Sequence, residues 1–417
     1  MLTEKLQKKF ANPFIRNLGW LSASELVNRI FRLGVVVVLA RVLSAYDYGL
    51  TAIVLTTSEF ILIFTLKTGI SSKLVQADEQ DIAVLSQTAY WMNWILCIAL
   101  FTVQCLLAWP IAWFYQDMRI VAPICAMALV YLLMPIFTVQ TALLQRENRL
   151  NIIALCTVSQ SIVGNTLTVI FALMGFGLWS LVLPGVLVAP LWLVISVMNH
   201  PWKPKGRFTL HRWREIAGFA VDVMGIEFLG KLRANLDYLL IGRFLGLEAL
   251  GLYYFAFNAG LGVSLNIINA LANSIFPYLC DARQNLQQLS QRYTQGLKTT
   301  AKVIVPFVLL QASLAPFYVP LLYGSQWGMA IPIFVLICLS AIPRPFGEVA
   351  SMLLQAVDQT RINLYWNLGF TVIFAIALTL SVQAGILWVA ATVLLVHCIM
   401  LPLFTIGVTR HVLKPSA

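Results

Sequence analysis

The sequence predicts an all-α polytopic membrane protein, and three observations lead to that fold class. The 417 residues are 60% hydrophobic and only 11% charged, and their mean hydropathy is +0.83. Apolar runs of about 20 residues, the length that a helix needs to cross a bilayer, recur throughout the chain. These runs are too long and too uniformly apolar to be the alternating strands of a membrane β-barrel, which cross in about ten residues.

About twelve transmembrane helices are predicted. The first is expected to stay in the membrane, because the N-terminal residues lack the compact apolar core and cleavage site of a signal peptide. The predicted spans are 16–40, 48–66, 85–108, 121–144, 152–174, 176–198, 216–241, 250–276, 300–322, 330–354, 363–382 and 386–408.

The longest hydrophilic interruption divides the chain into two halves of six helices. Residues 199–215 carry five Lys or Arg. Six is an even number, so both halves would enter the membrane in the same orientation, as parallel repeats. We predict an N-terminal six-helix bundle at 1–198, a basic cytoplasmic linker at 199–215 and a C-terminal six-helix bundle at 216–417.

An internal repeat supports this division. The segment LARVLSAYDYGL at 39–50 matches IGRFLGLEALGL at 241–252 in Arg, Leu, Gly and Leu, and LLQ at 143–145 recurs at 353–355. Charged residues of the first half also recur 202 residues later. The pairs are Glu25 with Glu227, Arg29 with Lys231, and Arg41 with Arg243.

The net charge of +11 points to membrane lipids rather than to nucleic acid. With the N-terminus inside, most of the 28 Lys and Arg fall in cytoplasmic segments, as the positive-inside rule expects, and anionic headgroups are their expected partners. Both termini would be cytoplasmic. Six of the seven cysteines fall inside predicted spans, so neither a disulfide nor a metal site is expected.

Ionisable residues inside the spans are the candidates for function. Facing lipid, each would cost about 3 kcal/mol, so they are predicted to line a protein interior or a wet cavity. Eight of the eleven lie in the spans at 16–40 and 216–241. The set is Glu25, Arg29, Arg32, Glu59, Asp222, Glu227, Lys231, Arg233, Asp237, Arg344 and Glu348.

The spacing of these residues leaves two interpretations open. Four pairs are separated by four positions on one helical face, where they can neutralise each other as structural ion pairs: Glu25 with Arg29, Glu227 with Lys231, Arg233 with Asp237, and Arg344 with Glu348. Arg32, Glu59 and Asp222 have no such partner, which makes them better candidates for contact with a substrate or ion. Arg41 and Arg243 are predicted to cap the C-terminal ends of their helices.

No catalytic motif is present, so we predict neither an enzyme nor a cofactor. The four histidines are scattered, and no HExxH, GxSxG, phosphate-loop or CxxC pattern occurs. The aromatic residues allow both sugar stacking and helix packing, with interfacial anchoring preferred for Trp109, Trp113 and Tyr115. The ambiguous set is Tyr90, Trp91, Trp94, Tyr253 and Tyr254.

Four segments resemble bacterial polysaccharide exporters of the multidrug, oligosaccharidyl-lipid and polysaccharide flippase superfamily. They are ANLDYLLIGRFLGLEALGLYYFAFNAG, LSQTAYWMNW, FPYLCDAR and LYGSQWGMAIPI. The resemblance implies two six-helix bundles around a central cleft. It also implies a carrier that moves an undecaprenyl-diphosphate-linked oligosaccharide, such as a lipopolysaccharide or exopolysaccharide precursor, across the bacterial inner membrane by alternating access. Many relatives have fourteen helices, which makes the lipid II branch less attractive.

By position, the resemblance makes Arg29, Arg32, Lys231 and Arg233 candidates for the diphosphate. The acids Glu25, Glu59, Asp222, Glu227 and Asp237 remain candidates for structural ion pairs or for coupling to H⁺ or Na⁺. A cation-coupled multidrug antiporter of the same superfamily is the alternative function. A membrane enzyme of glycan assembly is disfavoured because every predicted outer loop is short. The chain is treated as a monomer.

Overall fold

A computed structural model describes residues 31–32, 34–206 and 208–413. The described residues contain helices, turns and loops but no strand. Residues 34–42 are helical, and the later helices are numbered here in chain order. They are α1 (Ala45–Ile63), α2 (Lys67–Gln76), α3 (Ile82–Tyr115), α4 (Val121–Arg146), α5 (Leu150–Leu173), α6 (Trp179–Leu187), α7 (Ala189–Asn199), α8 (Trp213–Phe244), α9 (Leu247–Ala256), α10 (Gly262–Cys280), α11 (Leu286–Tyr323), α12 (Ile331–Leu339), α13 (Arg344–Ala356), α14 (Thr360–Val382) and α15 (Ile386–Leu413).

The all-α membrane fold is confirmed. In the described part, ten helical stretches are long and apolar enough to cross a membrane. The predicted span at 216–241 corresponds to α8, a single 32-residue helix that does not qualify as an apolar span. Its sequence carries Asp222, Glu227, Lys231, Arg233 and Asp237. The predicted span at 16–40 lies mostly outside the described residues.

Two predicted spans begin or end in the wrong place. The span predicted at 48–66 runs over Ala45–Gln76, with a break between α1 and α2. The span predicted at 300–322 begins as α11 at Leu286. There the Asn285 side chain accepts hydrogen bonds from the amides of Gln287 and Gln288, both at 3.1 Å, as an N-cap residue does. A search for apolar length misses both extensions because they are amphipathic.

The internal repeat is visible in the order and bounds of the helices. Helix α9 begins 202 residues after α1, and the stretch from α12 to α13 begins and ends 210 residues after α4. The two copies also share a polar contact. Gln104 donates to the Ser58 hydroxyl at 3.3 Å in the first copy, and the Ser264 hydroxyl donates to Gln311 at 3.1 Å in the second.

The chain folds into two compact units. Unit 1 comprises residues 1–44 and 53–234, and unit 2 comprises residues 45–52 and 235–417. The boundaries fall inside α1 and inside α8. The described residues of the predicted linker at 199–215 pack on unit 1, where the Thr88 hydroxyl donates to the His211 carbonyl at 2.6 Å and the Lys205 amide donates to the Gln87 side chain at 3.1 Å. The division into repeats at 1–198 and 216–417 stays a prediction about ancestry and topology.

Within unit 2, the start of α1 crosses the start of α9 at two glycines that the repeat equates. A Cβ added at Gly49 would overlap the Leu247 carbonyl oxygen, and one added at Gly251 would overlap the Ala45 carbonyl oxygen. Ala45 and Leu247 are themselves 202 residues apart, so the contact is reciprocal, like a contact across a two-fold axis. The backbones can approach this closely only because both positions lack a side chain.

Candidate functional site

Unit 1 contains a polar hollow between the α1–α2 break and the middle of α8. Its volume is about 520 Å³. Apolar side chains from α1 form part of its wall, and four ionisable side chains point into its lining. The lining residues are Glu59, Leu62, Ile63, Thr65, Lys67, Thr68, Glu227, Gly230, Lys231 and Ala234.

The hollow exists because the chain interrupts a membrane-spanning helix. Helix α1 ends at Ile63, the amides of Phe64, Thr65 and Leu66 donate at 3.1 to 3.3 Å to carbonyls three residues back, and Leu66 has a left-handed φ of 54°. Helix α2 then begins at Lys67. Non-helical backbone at membrane depth is tolerated where it is buried in protein or lines a cavity, and this break lies beside the hollow.

Close packing positions α8 against this break. A Cβ added at Gly69 of α2 would overlap the backbone of Ala220, so the two helices approach closely there. One helical turn beyond the hollow, the Phe228 ring lies 6.0 Å from the rings of both Phe60 and Phe64, in the edge-to-face arrangement that aromatic pairs prefer. These contacts fix the face of α8 that carries Glu227 and Lys231.

An ion pair between distant parts of the chain crosses the hollow. The Lys231 ammonium donates to Glu59 Oε2 at 2.6 Å. The prediction that Lys231 pairs with Glu227 is therefore wrong, as is the prediction that Glu59 has no partner. Sequence spacing reveals only partners on the same helix, whereas Glu59 is brought to Lys231 by the packing of α8 on α1. Glu227 makes no ion pair with any described residue.

Lys67 is the residue that the sequence reasoning missed. The predicted span ended at 66, which placed Lys67 in a cytoplasmic segment, whereas the structure puts it inside the 32-residue stretch Ala45–Gln76. Its ammonium lies 5.3 Å from the centre of the Trp192 ring, within the range of a cation–π contact. Among the described residues, no carboxylate pairs with it. The signal was available, because LVQ at 74–76 continues an apolar face beyond the predicted end.

Trp192 is held in place by its own hydrogen bond. Its indole N–H donates to the Thr141 hydroxyl at 3.0 Å, and that hydroxyl donates to the Phe137 carbonyl at 2.9 Å. A tryptophan fixed at one end by a polar contact presents a defined ring face to Lys67. The hollow thus combines a carboxylate-paired lysine, a lysine held by an aromatic ring, and two acids. It can bind an anion at Lys67 without breaking an ion pair.

The other residues predicted for this site lie elsewhere or cannot be compared. Glu25 and Arg29 fall outside the described residues, and the side chain of Asp222 is likewise outside the description. Arg32 is exposed. Arg233 is half-buried on α8 but does not line the hollow.

Asp237 belongs to a separate buried cluster in unit 2. It is 3% exposed and accepts hydrogen bonds from the Tyr253 hydroxyl at 2.6 Å and the Tyr238 amide at 3.0 Å. Neither donor follows from spacing by four along the helix. The predicted pairing of Arg344 with Glu348 is wrong, because Glu348 makes no ion pair among the described residues.

The ambiguous aromatic residues take part in packing. Tyr90 contacts the rings of Trp91, Trp94 and Trp202 at centroid distances of 5.4 to 6.4 Å. Trp202 comes from the predicted linker. In unit 2, the rings of Tyr253 and Tyr254 both pack on Tyr238. By contrast, Trp109 and Trp113 are 62% and 77% exposed.

Comparison with known proteins gives one family. Residues 38–332 match the family model described as "Polysaccharide biosynthesis protein". The chain is 25% identical over 338 residues to the teichuronic acid biosynthesis protein TuaB of Bacillus subtilis, covering 80% of this chain and 70% of TuaB. It is 25% identical over 383 residues to the lipopolysaccharide biosynthesis protein WzxC of Escherichia coli, covering 87% and 74%.

A third relative and two solved structures extend the comparison. The succinoglycan biosynthesis transport protein ExoT of Rhizobium meliloti is 25% identical over 376 residues, covering 90% of this chain and 75% of ExoT. An inward-facing multidrug resistance MATE family transporter aligns with a TM-score of 0.76 at 15% identity, covering 94% of this chain and 96% of that one. The lipid II flippase MurJ aligns with a TM-score of 0.75 at 12% identity, covering 93% and 87%.

Proposed function

The chain belongs to the polysaccharide biosynthesis protein family, and we propose from this premise that it is a flippase for lipid-linked oligosaccharide. Its substrate would be a polysaccharide precursor on undecaprenyl diphosphate, moved by alternating access from the cytoplasmic to the outer leaflet of the bacterial inner membrane. Relatives named for succinoglycan transport and lipopolysaccharide biosynthesis support this proposal. The observation that carries the site assignment is Lys67, a lysine inside a membrane span, beside a polar hollow and without a carboxylate partner among the described residues.

Lys67 suits a phosphate because a charged group inside a membrane segment is costly. Such residues usually serve a substrate path or pair with one another, and Lys67 makes no ion pair in the described part of the chain. A substrate phosphate would form a charge-assisted hydrogen bond with its ammonium, about twice as strong as a neutral one. Trp192 keeps the ammonium at the wall of the hollow without competing for its charge.

Lys231 would bind second, in competition with Glu59. A diphosphate that reaches Lys231 must displace or share the Glu59 carboxylate, which leaves Glu59 in need of a new partner. Uptake of H⁺ or Na⁺ by Glu59 or Glu227 would meet that need. We therefore place ion coupling at these two acids rather than at Asp237, whose hydrogen bonds are already made by tyrosine and backbone.

A cation-coupled multidrug antiporter is the second candidate function. The observation that favours it is the presence of two acids, Glu59 and Glu227, in the same hollow, because carboxylates attract organic cations. In that case Lys67 would have no role in binding, and substitution of the acids alone would abolish transport. We propose no covalent chemistry, a monomeric transporter, and cytoplasmic termini.

The test measures flipping in proteoliposomes. The probe is a short-chain prenyl diphosphate that carries a disaccharide. Lys67→Gln removes the charge, and we expect flipping at low probe concentration to fall at least tenfold, which corresponds to about 1.4 kcal/mol. Lys67→Arg should retain most of the activity because it keeps the cation.

Lys73→Gln is the matched control, since Lys73 lies on the same helix but outside the hollow, paired with Glu215 at 2.7 Å. Its flipping should match that of the unsubstituted protein. Unchanged flipping in Lys67→Gln would contradict the site assignment. Uptake of organic cations without any flipping of the probe would favour the antiporter.

A further inference from the structure

The two repeats treat one equivalent surface differently. Leu-Ser-Gln occurs at 85–87 near the start of α3 and again at 289–291 near the start of α11. In unit 1 the chain itself covers this surface, because the Lys205 amide donates to Gln87 and Gln87 is 8% exposed. In unit 2, Gln291 is exposed and borders an open hollow of about 1010 Å³.

The lining of this hollow has a distinct chemistry. Its side chains are mostly amides and hydroxyls, which can both donate and accept hydrogen bonds, with two lysines at one end and no acid. No carboxylate of the described residues pairs with Lys298 or Lys302. The lining residues are Leu286, Gln287, Ser290, Gln291, Thr294, Gln295, Lys298, Thr299, Lys302 and Leu413. Most recur at intervals of three and four, so they form one stripe along α11.

Further along α11 the exposed surface becomes apolar. Val303, Leu310 and Phe317 are 42%, 59% and 75% exposed, as expected for side chains that face lipid. The two lysines therefore lie at the boundary between the apolar and the polar parts of the helix. From Lys298 back to Gln287 the polar stripe extends for about 16 Å at 1.5 Å per residue.

A neighbouring helix supports the edge of the stripe. The Tyr278 hydroxyl of α10 donates to Gln295 Oε1 at 3.1 Å. Arg292 donates to the Tyr278 carbonyl at 2.7 Å, and its guanidinium lies 4.5 Å from the centre of the Tyr278 ring. The amide of Gln295 thus has a fixed orientation, with its NH₂ group left to donate to a ligand.

We propose that the stripe from Gln287 to Lys302 on α11 binds the headgroup of a lipid-linked glycan at the membrane surface, before the substrate enters the hollow of unit 1. This inference rests on the proposed function. The order of chemistry along the helix matches the three parts of such a lipid. Amides and hydroxyls would bind sugar hydroxyls, Lys298 and Lys302 would bind the diphosphate, and the apolar surface from Val303 onward would contact the prenyl chain.

The experiment measures equilibrium binding to the full chain in nanodiscs with two probes. One is a short-chain prenyl diphosphate that carries a disaccharide, and the other is the same prenyl diphosphate without sugar. Replacing Gln287, Gln291 and Gln295 together by Ala should weaken binding of the glycosylated probe about tenfold and leave the sugar-free probe unchanged. Lys298→Gln with Lys302→Gln should weaken both probes, and the double arginine variant should restore binding of both.

The matched control is Gln288→Ala, an exposed amide of the same helix that lies outside the hollow. It should bind both probes as the unsubstituted protein does. Equal affinity of all variants for both probes would show a merely solvated helix face and would overturn the inference. If the unsubstituted protein flips the glycosylated probe while these variants flip it equally well at low concentration, only the docking surface fails. If the unsubstituted protein neither binds nor flips that probe, the proposed function fails with it.

Discussion

The ion pair across the hollow of unit 1 allows a quantitative test of substrate competition. In the polysaccharide family to which the chain belongs, an anionic substrate would have to take Lys231 from Glu59. Glu59→Gln removes the competing charge and keeps the shape of the side chain. We expect this variant to bind the glycosylated prenyl diphosphate more tightly than the unsubstituted protein.

The magnitude follows from the distance and the exposure of the pair. At 4 Å and an effective dielectric constant of 20, two unit charges attract by about 4 kcal/mol, and this pair is closer, at 2.6 Å. The side chains are, however, 44% and 48% exposed, so solvent screening lowers the net value toward the ~1 kcal/mol of exposed pairs. Release of Lys231 should therefore improve the Kd about fivefold.

The assay is binding in nanodiscs, arranged as a double-mutant cycle. Glu59→Gln combined with Lys231→Gln should bind the probe no better than Lys231→Gln alone, because the gain comes from a freed lysine. Glu227→Gln is the control: it removes a negative charge from the same hollow without breaking an ion pair among described residues, so its effect should be smaller. Equal or weaker binding by Glu59→Gln would refute the competition and would mean that Glu59 contacts the substrate or its coupling ion directly.

Three further predictions concern the surroundings of the site and the fold. Trp192→Leu should weaken probe binding about fivefold, by the ~1 kcal/mol of a cation–π contact, while Trp192→Phe should retain most of it; fluorescence titration measures both. Gly49→Val should destabilise unit 2 by about 2 kcal/mol or more, as overpacking does, and lower the Tm in detergent, whereas the exposed Gly369→Ala should not. Hydrogen bonds from Lys73 and then Arg212 lower the pKa of Glu215, which precedes the predicted span at 216–241, so its stabilising contribution is present above the unfolded pKa of about 4.3 and is lost as the pH falls through the lower folded pKa. Tm measured in that acidic range should therefore fall more steeply for the unsubstituted protein than for Glu215→Gln; parallel curves would contradict this assignment.

The sequence predicted the fold well because membrane helices depend on apolar length, which is local. Ten spans in the described part and the charged helix α8 follow the predicted order, and the resemblance to polysaccharide exporters is confirmed. The sequence predicted the amphipathic ends poorly, since the start of α11 and the whole of α2 gain their stability from packing on neighbours. Helix α2 alone contributes Ile70 and Leu74 to the core of unit 1.

The site could be predicted only in part, for a related reason. Glu59 and Lys231 were both recognised as costly charges, but their pairing depends on contacts between residues 172 positions apart. Lys67 was missed because a span was assumed to end where the apolar run ends. The break at Phe64–Leu66 lets the chain continue through the membrane beyond a polar residue, and no Gly or Pro in that segment announces it.

The differences between the two repeats separate function from packing more clearly than either repeat alone. Both copies must solve the same packing problem, and they share helix bounds, the glutamine–serine contact and the paired glycines. Residues 45–76 of the first copy nevertheless carry Glu59, Lys67 and Lys73, whereas residues 249–280, which correspond to them, carry no charged residue. Packing needs are the same in both copies, so they do not account for an ionic hollow in only one. A substrate with a charged headgroup would use that hollow in unit 1, and the second copy, freed from that role, keeps an open polar stripe on α11 where the first is covered by its linker.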